Sequence, residues 1–323
     1  MSLPRALSGR LRIPVVASPM FIASGPELVI AQCTAGIVGA FPSLNARPQS
    51  VLREWLTRIT EELAEHDANH PERPSAPYAV NLIVHKTNSR LSEDLDTVVE
   101  FEVPIVITSL GAQPEVNRAV HSYGGIILHD VTSNAYARKA IERGADGLIA
   151  VAAGAGGHAG HQSPFALIQE IREWFDGPLL LSGAIAHGRS ILAAQATGAD
   201  LAYIGSAFLA THEANVGHDY KQMVVDSTAA DIVNSNLFTG VHGNYLRGSI
   251  AAAGFDPDNL PQSDPSAMNF GNDESTRSGA KPWAEIWGSG HGIGTVNAVA
   301  STAQVVERLT HEYASAKERL QQL

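Results

Sequence analysis

The chain is poor in cysteine: Cys33 is the only one among 323 residues, so no disulfide can form within it, and a reducing compartment suits it. Charged residues are scarce too, at 17%, and basic ones scarcer still. The 22 Lys and Arg stand against 33 Asp and Glu, for a net charge of -11, which argues against nucleic acid or an anionic membrane surface as a partner. No apolar run is long enough to cross a bilayer. The opening MSLPRALSGRLRIPVVAS lacks the apolar stretch and cleavage site of a signal peptide, so a cytoplasmic location is expected. A doubly wound nucleotide fold would show GxGxxG after its first strand, and SPMFIASGPE holds no such fingerprint. What the chain does have is 44% hydrophobic residues, enough for a large core.

Eight short apolar runs recur: 13–18, 36–41, 78–84, 104–109, 125–130, 147–152, 178–183 and 201–206. They are continuous rather than alternating, as expected of parallel strands covered on both faces. Segments of helical period separate them, among them PELVIAQCTAG, AYARKAIERGA and GRSILAAQATGA. Several end in Gly-Ala, a helix stop followed at once by the next strand. This pattern predicts an α/β fold, a (β/α)8 TIM barrel built from residues 1–210 and 284–323. Residues 211–283 break the rhythm with two helical pieces and a Pro- and Asp-rich stretch, 256–281. They are expected to form a small helical cap inserted after strand eight.

Barrel enzymes place their chemistry at the C-terminal ends of the strands. There the sequence sets Ser18, Pro19 and Met20, then Asn81, His85, Ser109, His129 and Asp130. The sixth run leads into GAGGHAGHQS, with Gly156, Gly157 and His158 at its centre and His161 behind. Glycine suits backbone pressed close to another group, and histidine exchanges a proton near neutral pH. The seventh and eighth runs end in Ser182-Gly183-Ala184 and Gly205-Ser206, small-residue turns at the two places where barrels commonly bind phosphate.

With ASPM (17–20), VNL (80–82), AGGHAG (155–160), LSGAIAHGRS (181–190), GADLAYIGSAFLATHEA (198–214) and GSGHGIG (288–294), the chain resembles the nitronate monooxygenase family of FMN-dependent barrel enzymes. The resemblance runs from the first strand to the final helix. It implies FMN as cofactor, His158 as the catalytic base, and oxidation of alkyl nitronates and nitroalkanes with O2 to a carbonyl compound and nitrite. It also implies that Ala17, Ser18, Pro19 and Met20 line the flavin ring, with Asn81, Ser109 and the Gly156-Gly157 loop near it. Ser182, Gly183, Ala184, Gly205 and Ser206 match the phosphate turns. Three positions depart from the family pattern. Many relatives carry a lysine at the end of strand five, where this chain has His129 and Asp130; Gly-Ser replaces Gly-Thr after strand eight; and His291 stands where Gln is common.

Related flavin barrels reduce quinones with NAD(P)H or act on enoyl thioesters, and these remain alternatives. A metal-dependent hydrolase using His158, His161, His129 and His85 is a weaker one, since glycine flanks hold ligands poorly. A flavin binder without turnover is another. No metal is expected. The expected partners are a small-molecule substrate and O2, and self-association into a homodimer is left open.

Overall fold

The computed structural model describes residues 3–4, 7–263 and 285–322. Eight parallel strands form the barrel: β1 (Val15–Ala17), β2 (Gly39–Pro42), β3 (Tyr78–Ile83), β4 (Ile105–Ser109), β5 (Ile126–Val131), β6 (Gly147–Val151), β8 (Leu179–Ser182) and β9 (Leu201–Ile204). They pair in the order β1-β9-β8-β6-β5-β4-β3-β2. The ring closes where Ala17 N–H donates to the Val38 carbonyl at 2.8 Å, just ahead of β2. All eight apolar runs of the sequence are therefore strands of one sheet.

The outer layer is α1 (Pro26–Thr34), α2 (Val51–Asn69), α3 (Leu91–Glu100), α4 (Pro114–His121), α5 (Asn134–Glu142), α6 (Pro164–Arg172), α7 (Gly188–Ala196) and, at the end, α10 (Thr302–Gln321). Proline in the first turn opens α1, α4 and α6, where its missing N–H costs nothing. A capping box of Ser301 and Gln304 starts α10, and Glu213 accepts from both the Thr302 N–H and hydroxyl at 2.9 Å.

Helix α10 closes the ring by packing against α7 and α1. Gly188, first residue of α7, donates its N–H to Glu312 Oε2 at 2.9 Å. A Cβ there would collide with the backbone of Glu312 and Tyr313. Gly188→Ala should thus push α10 outward and cost about 1–3 kcal/mol, the usual range for overpacking. Denaturant unfolding measures this; an unchanged midpoint would show that the two helices can part freely.

Inside the barrel, Val16, Ala79, Ile107, Leu128, Ile149 and Leu180 belong to one buried apolar cluster. Side chains on a strand alternate between faces. The residues two further along, Ser18, Asn81, Ser109, Asp130, Val151 and Ser182, therefore form the next interior layer toward the strands' C-terminal ends, and five of these six are polar. The barrel core is dry below and polar at the top.

The insertion differs from the helical expectation. It holds α8 (His218–Asp226) and α9 (Arg247–Ala252), but also β10 (Ile232–Ser235) and β11 (Gly243–Leu246). These two pair antiparallel, and β11 pairs in turn with β7 (Gly157–His158) from the glycine loop. Short strands of this kind draw stability from a partner rather than from their own periodicity, which is why the sequence pattern presents DIVN and NYL only as ends of the two helical pieces, YKQMVVDSTAADIVN and NYLRGSIAAAG. Phe238, Tyr245, Ile250 and Ile286 pack beneath them as a separate small core. Residues 264–281 of the Pro- and Asp-rich stretch lie outside the described residues.

Candidate active site

The polar interior layer carries a directed chain of hydrogen bonds. Asn81 Nδ2 donates to the Ile107 carbonyl at 3.0 Å and to Ser109 Oγ at 2.8 Å. Ser109 Oγ donates to Asp130 Oδ2 at 2.5 Å. Burial pushes the Asp130 carboxyl up to about 6, against the opposing pull of the Ser109 hydrogen bond. Burial also holds the Tyr203 hydroxyl well above its ordinary value, helped by the nearby Asp130.

His129 does not join this layer. It and Thr108 project from the other face of their strands, with Thr108 Oγ1 2.5 Å from His129 Nδ1. Burial lowers His129 to about 4, so it is neutral at neutral pH. A neutral His129 does not supply the positive charge that the family resemblance puts at the end of strand five as a lysine.

His158 stands on β7, whose pairing with β11 fixes the backbone of the glycine loop. Asn244 Nδ2 reinforces it by donating to the Ala155 carbonyl at 2.7 Å. His158 Nε2 lies 3.1 Å from Thr239 Oγ1, contributed by the loop between β10 and β11. Burial pulls its imidazole down to about 4, leaving it a neutral base above that pH. His161 points elsewhere: its ring packs edge-on against His242, 4.9 Å between centroids, and it does not line the cavity.

The reason for glycine in this loop is partly internal. A Cβ on Gly156 would lie 2.8 Å from Gly290 N and 3.0 Å from Ser206 Oγ. Ser206 Oγ accepts the Gly290 N–H at 2.8 Å, and His291 N–H donates to the Gly154 carbonyl at 3.0 Å. The closely approaching group is the chain's own 288–292 segment, which becomes one wall of the site.

These walls enclose a cavity of about 1280 Å³ at the C-terminal end of the barrel. Ser18, Pro19, Met20, Asn81, Ser109, His129, Asp130, Gly156, Gly157, His158, Ser182, Gly183, Ala184, Gly205 and Ser206 all line it. Ala17 does not: its side chain lies in the apolar core, fully buried. Many lining residues escaped the sequence reading, four of them with chemistry to offer. Tyr203 is buried beside Asp130, Thr239 comes from the insertion, and Lys139 and Arg143 reach the rim from α5. Only the last pair left a signal, two cations four residues apart on the helix after strand five.

The volume exceeds the roughly 300–1,000 Å³ of a typical small-molecule site, leaving room for a cofactor and a substrate together. A planar polar ring suits the floor, where Asp130 Oδ1 is buried with no hydrogen-bond partner among the described residues. The small-residue turns after β8 and β9 bring backbone to the cavity wall, where N–H groups can meet a phosphate, although the Ala184 N–H already donates to the Gly154 carbonyl at 3.1 Å. A flavin fits the residues present. Among the described residues, no group of three or more His, Cys, Asp or Glu side chains is placed to hold a metal ion.

The model of the nitronate monooxygenase family matches residues 8–312. The chain belongs to that family. Among similar proteins, a nitronate monooxygenase of Paraburkholderia phytofirmans is 25% identical, with 96% of this chain and 94% of that one covered. Rv1533 of Mycobacterium tuberculosis, whose name classes it as a monooxygenase, is 31% identical over 156 residues, 47% of this chain and 41% of that one. In structure, the nitroalkane oxidase of Streptomyces ansochromogenes gives a TM-score of 0.77 at 23% identity, covering 98% and 99% of the two chains. A mutant FabK from Thermotoga maritima gives 0.77 at 23%, covering 98% and 97%. Like the rest of the nitronate monooxygenase family, this member is a flavin-dependent oxidoreductase on a TIM barrel. Among the described residues no helix is long and apolar enough to cross a membrane.

Proposed function

We propose that the chain binds FMN and oxidises small alkyl nitronates, and the nitroalkanes from which they derive, with O2 to a carbonyl compound and nitrite. The observation that carries this is His158, a neutral base held at the cavity wall by the β7–β11 pairing and by Thr239. A nitroalkane has an acidic C–H beside its nitro group, and a base placed against that carbon can take the proton. The resulting anion is the electron-rich substrate, and bound FMN supplies the electron acceptance and the reaction with O2.

In this reading the chain's own groups bind, orient and exclude water. The turns Ser182-Gly183-Ala184 and Gly205-Ser206 take the phosphate, and Met20 and its neighbours lie along the ring. The described part of the insertion, residues 211–263, serves as a lid, since Thr239 reaches His158 from it and Tyr220, stacked 4.8 Å from Trp287, lines the same cavity. A reducing, cytoplasmic setting agrees with Cys33, fully buried with its thiol pushed up to about 12 by burial.

A second reading, an NAD(P)H-dependent reductase of quinones or enoyl thioesters, draws support from the cavity volume and from the cationic rim of Lys139 and Arg143. Anaerobic mixing of the yellow holoprotein with a nitronate, NADH and NADPH in turn separates the two. Rapid bleaching by nitronate, with nitrite formed on admitting air, is expected. Bleaching by a nicotinamide alone would replace the first reading by the second, and release of FAD on heating would overturn the cofactor assignment.

A further inference from the structure

We propose that Asp130 reads the edge of the flavin ring, its Oδ1 accepting a hydrogen bond from the ring's imide N–H. This rests on the reading of the cavity as an FMN site. Asp130 sits in the uppermost interior layer, on β5. Its Oδ2 is already engaged: Ser109 Oγ donates to it at 2.5 Å, and Asn81 Nδ2, donating to Ser109 Oγ at 2.8 Å, fixes the direction of that donation. Oδ1 is buried and has no partner among the described residues, while other atoms of Asp130 line the cavity, so a small turn of the carboxyl about its Cβ–Cγ bond presents it to a ligand. A buried acceptor left unpaired is costly, and the cost is recovered when a ligand brings a donor.

Among the described residues no cation perturbs the carboxyl, whose shift comes from burial and the Ser109 hydrogen bond. The interior layer around it holds Asn81 from β3, Ser109 from β4, Val151 from β6 and Ser182 from β8. Tyr203 from β9 stays neutral, its hydroxyl held far above its ordinary value. His129 projects from the opposite face of β5, and the cations of the cavity wall, Arg47, Lys139 on α5 and Arg143 just past its end, are all exposed. An oxidised flavin ring carries one N–H, the imide between two carbonyls, and it is the donor that matches a lone acceptor.

Burial lifts this carboxyl to about 6 in the free site. Accepting a hydrogen bond favours the ionised form, so binding lowers its pKa. FMN binding is then at full strength above about pH 7 and weakens as pH falls through 6, by about tenfold between pH 8 and pH 5. The FMN phosphate titrates in the same window. The comparison is therefore between wild type and Asp130→Asn, which meet the same phosphate.

The experiment is equilibrium binding of FMN and of N3-methyl FMN to the full chain stripped of cofactor, followed by flavin fluorescence at pH 5–8. Wild type should prefer FMN by about 10–100-fold at pH 8, the range for a hydrogen bond to a charged group, with the preference shrinking toward pH 5. In Asp130→Asn the preference should be small and flat with pH. A preference that is independent of pH and equal in both proteins overturns the inference and leaves the FMN reading standing. Relative to Asp130→Asn, tighter wild-type binding as pH falls also overturns it, because the carboxyl would then be the donor. If unmodified FMN does not bind wild type at all, the reading beneath it fails.

Discussion

Replacing His158 by alanine should lower kcat/KM on neutral nitroalkanes by about 10²–10⁴-fold, the usual contribution of a positioned general base. Preformed nitronates should lose far less, because their proton has already gone. The split between the two substrate forms separates a base from a residue that merely shapes the cavity. Burial holds the imidazole near 4, so the group arrives neutral and becomes charged only by taking the substrate's proton. The sign follows: kcat/KM for nitroalkanes should be flat above about pH 5 and fall as pH drops through 4, where His158 is protonated before substrate binds. The nitronate anion formed beside it favours the imidazolium, which offsets the weakness of so acidic a base. Flavin content should be nearly unchanged, since the phosphate turns lie on other strands. His161→Ala should stay near wild type, because its ring packs on His242 outside the cavity. Oxygen consumption with both substrate forms, for both variants, measures all of this. Equal small losses on the two forms would reduce His158 to a structural role, and a large loss at His161 alone would make His161 the base.

The barrel was legible because its signal is local and repeated. A parallel strand covered on both faces must be apolar at every position, so 78–84 or 104–109 declares itself without reference to its partners. Helix α3 is harder to see: LSEDLDTVVE is acidic, and its buried face includes Asp94, which is hydrogen-bonded to Ser43 and paired with Arg90. That burial depends on residues about 50 and 4 positions away, which composition does not reveal. The same holds for the site. Strand ends can be read from the sequence, and of the residues named there all but Ala17 and His161 line one cavity. Which face of a strand each occupies decides its chemistry, and that follows only from register. Adjacent His129 and Asp130 look alike as candidates, yet one pairs with Thr108 on the other face of the sheet and the other joins Ser109 in the polar floor. Thr239 could not be found at all, because its partner is 81 residues away.

Gly205→Leu should give a folded but largely colourless protein, with FMN bound about 10–100-fold more weakly, equivalent to about 1–3 kcal/mol of steric misfit. Gly205 follows β9 with φ -109, a conformation open to any residue, so the substitution tests space rather than backbone strain. A Cβ there would stand 3.2 Å from Ser18 Cβ and 3.6 Å from Met20 Sδ, tight but tolerable. The rest of a leucine side chain must then find room beside Ser18 and Met20 at the cavity wall, displacing the lining next to the turn where the phosphate is proposed to sit. Gly205→Ala is the control: it adds only the Cβ, and Ser18 has to give by a few tenths of an ångström, so most of the colour should remain. The strands themselves bury the same apolar faces in both variants, so thermal unfolding of the cofactor-free proteins should stay close to wild type. Absorbance of the oxidised flavin per mole of purified chain, before and after dialysis against FMN, reads the outcome. A Leu variant that remains fully yellow would place the phosphate away from the β9 turn. A Leu variant that is colourless but also unfolded would make Gly205 a folding residue.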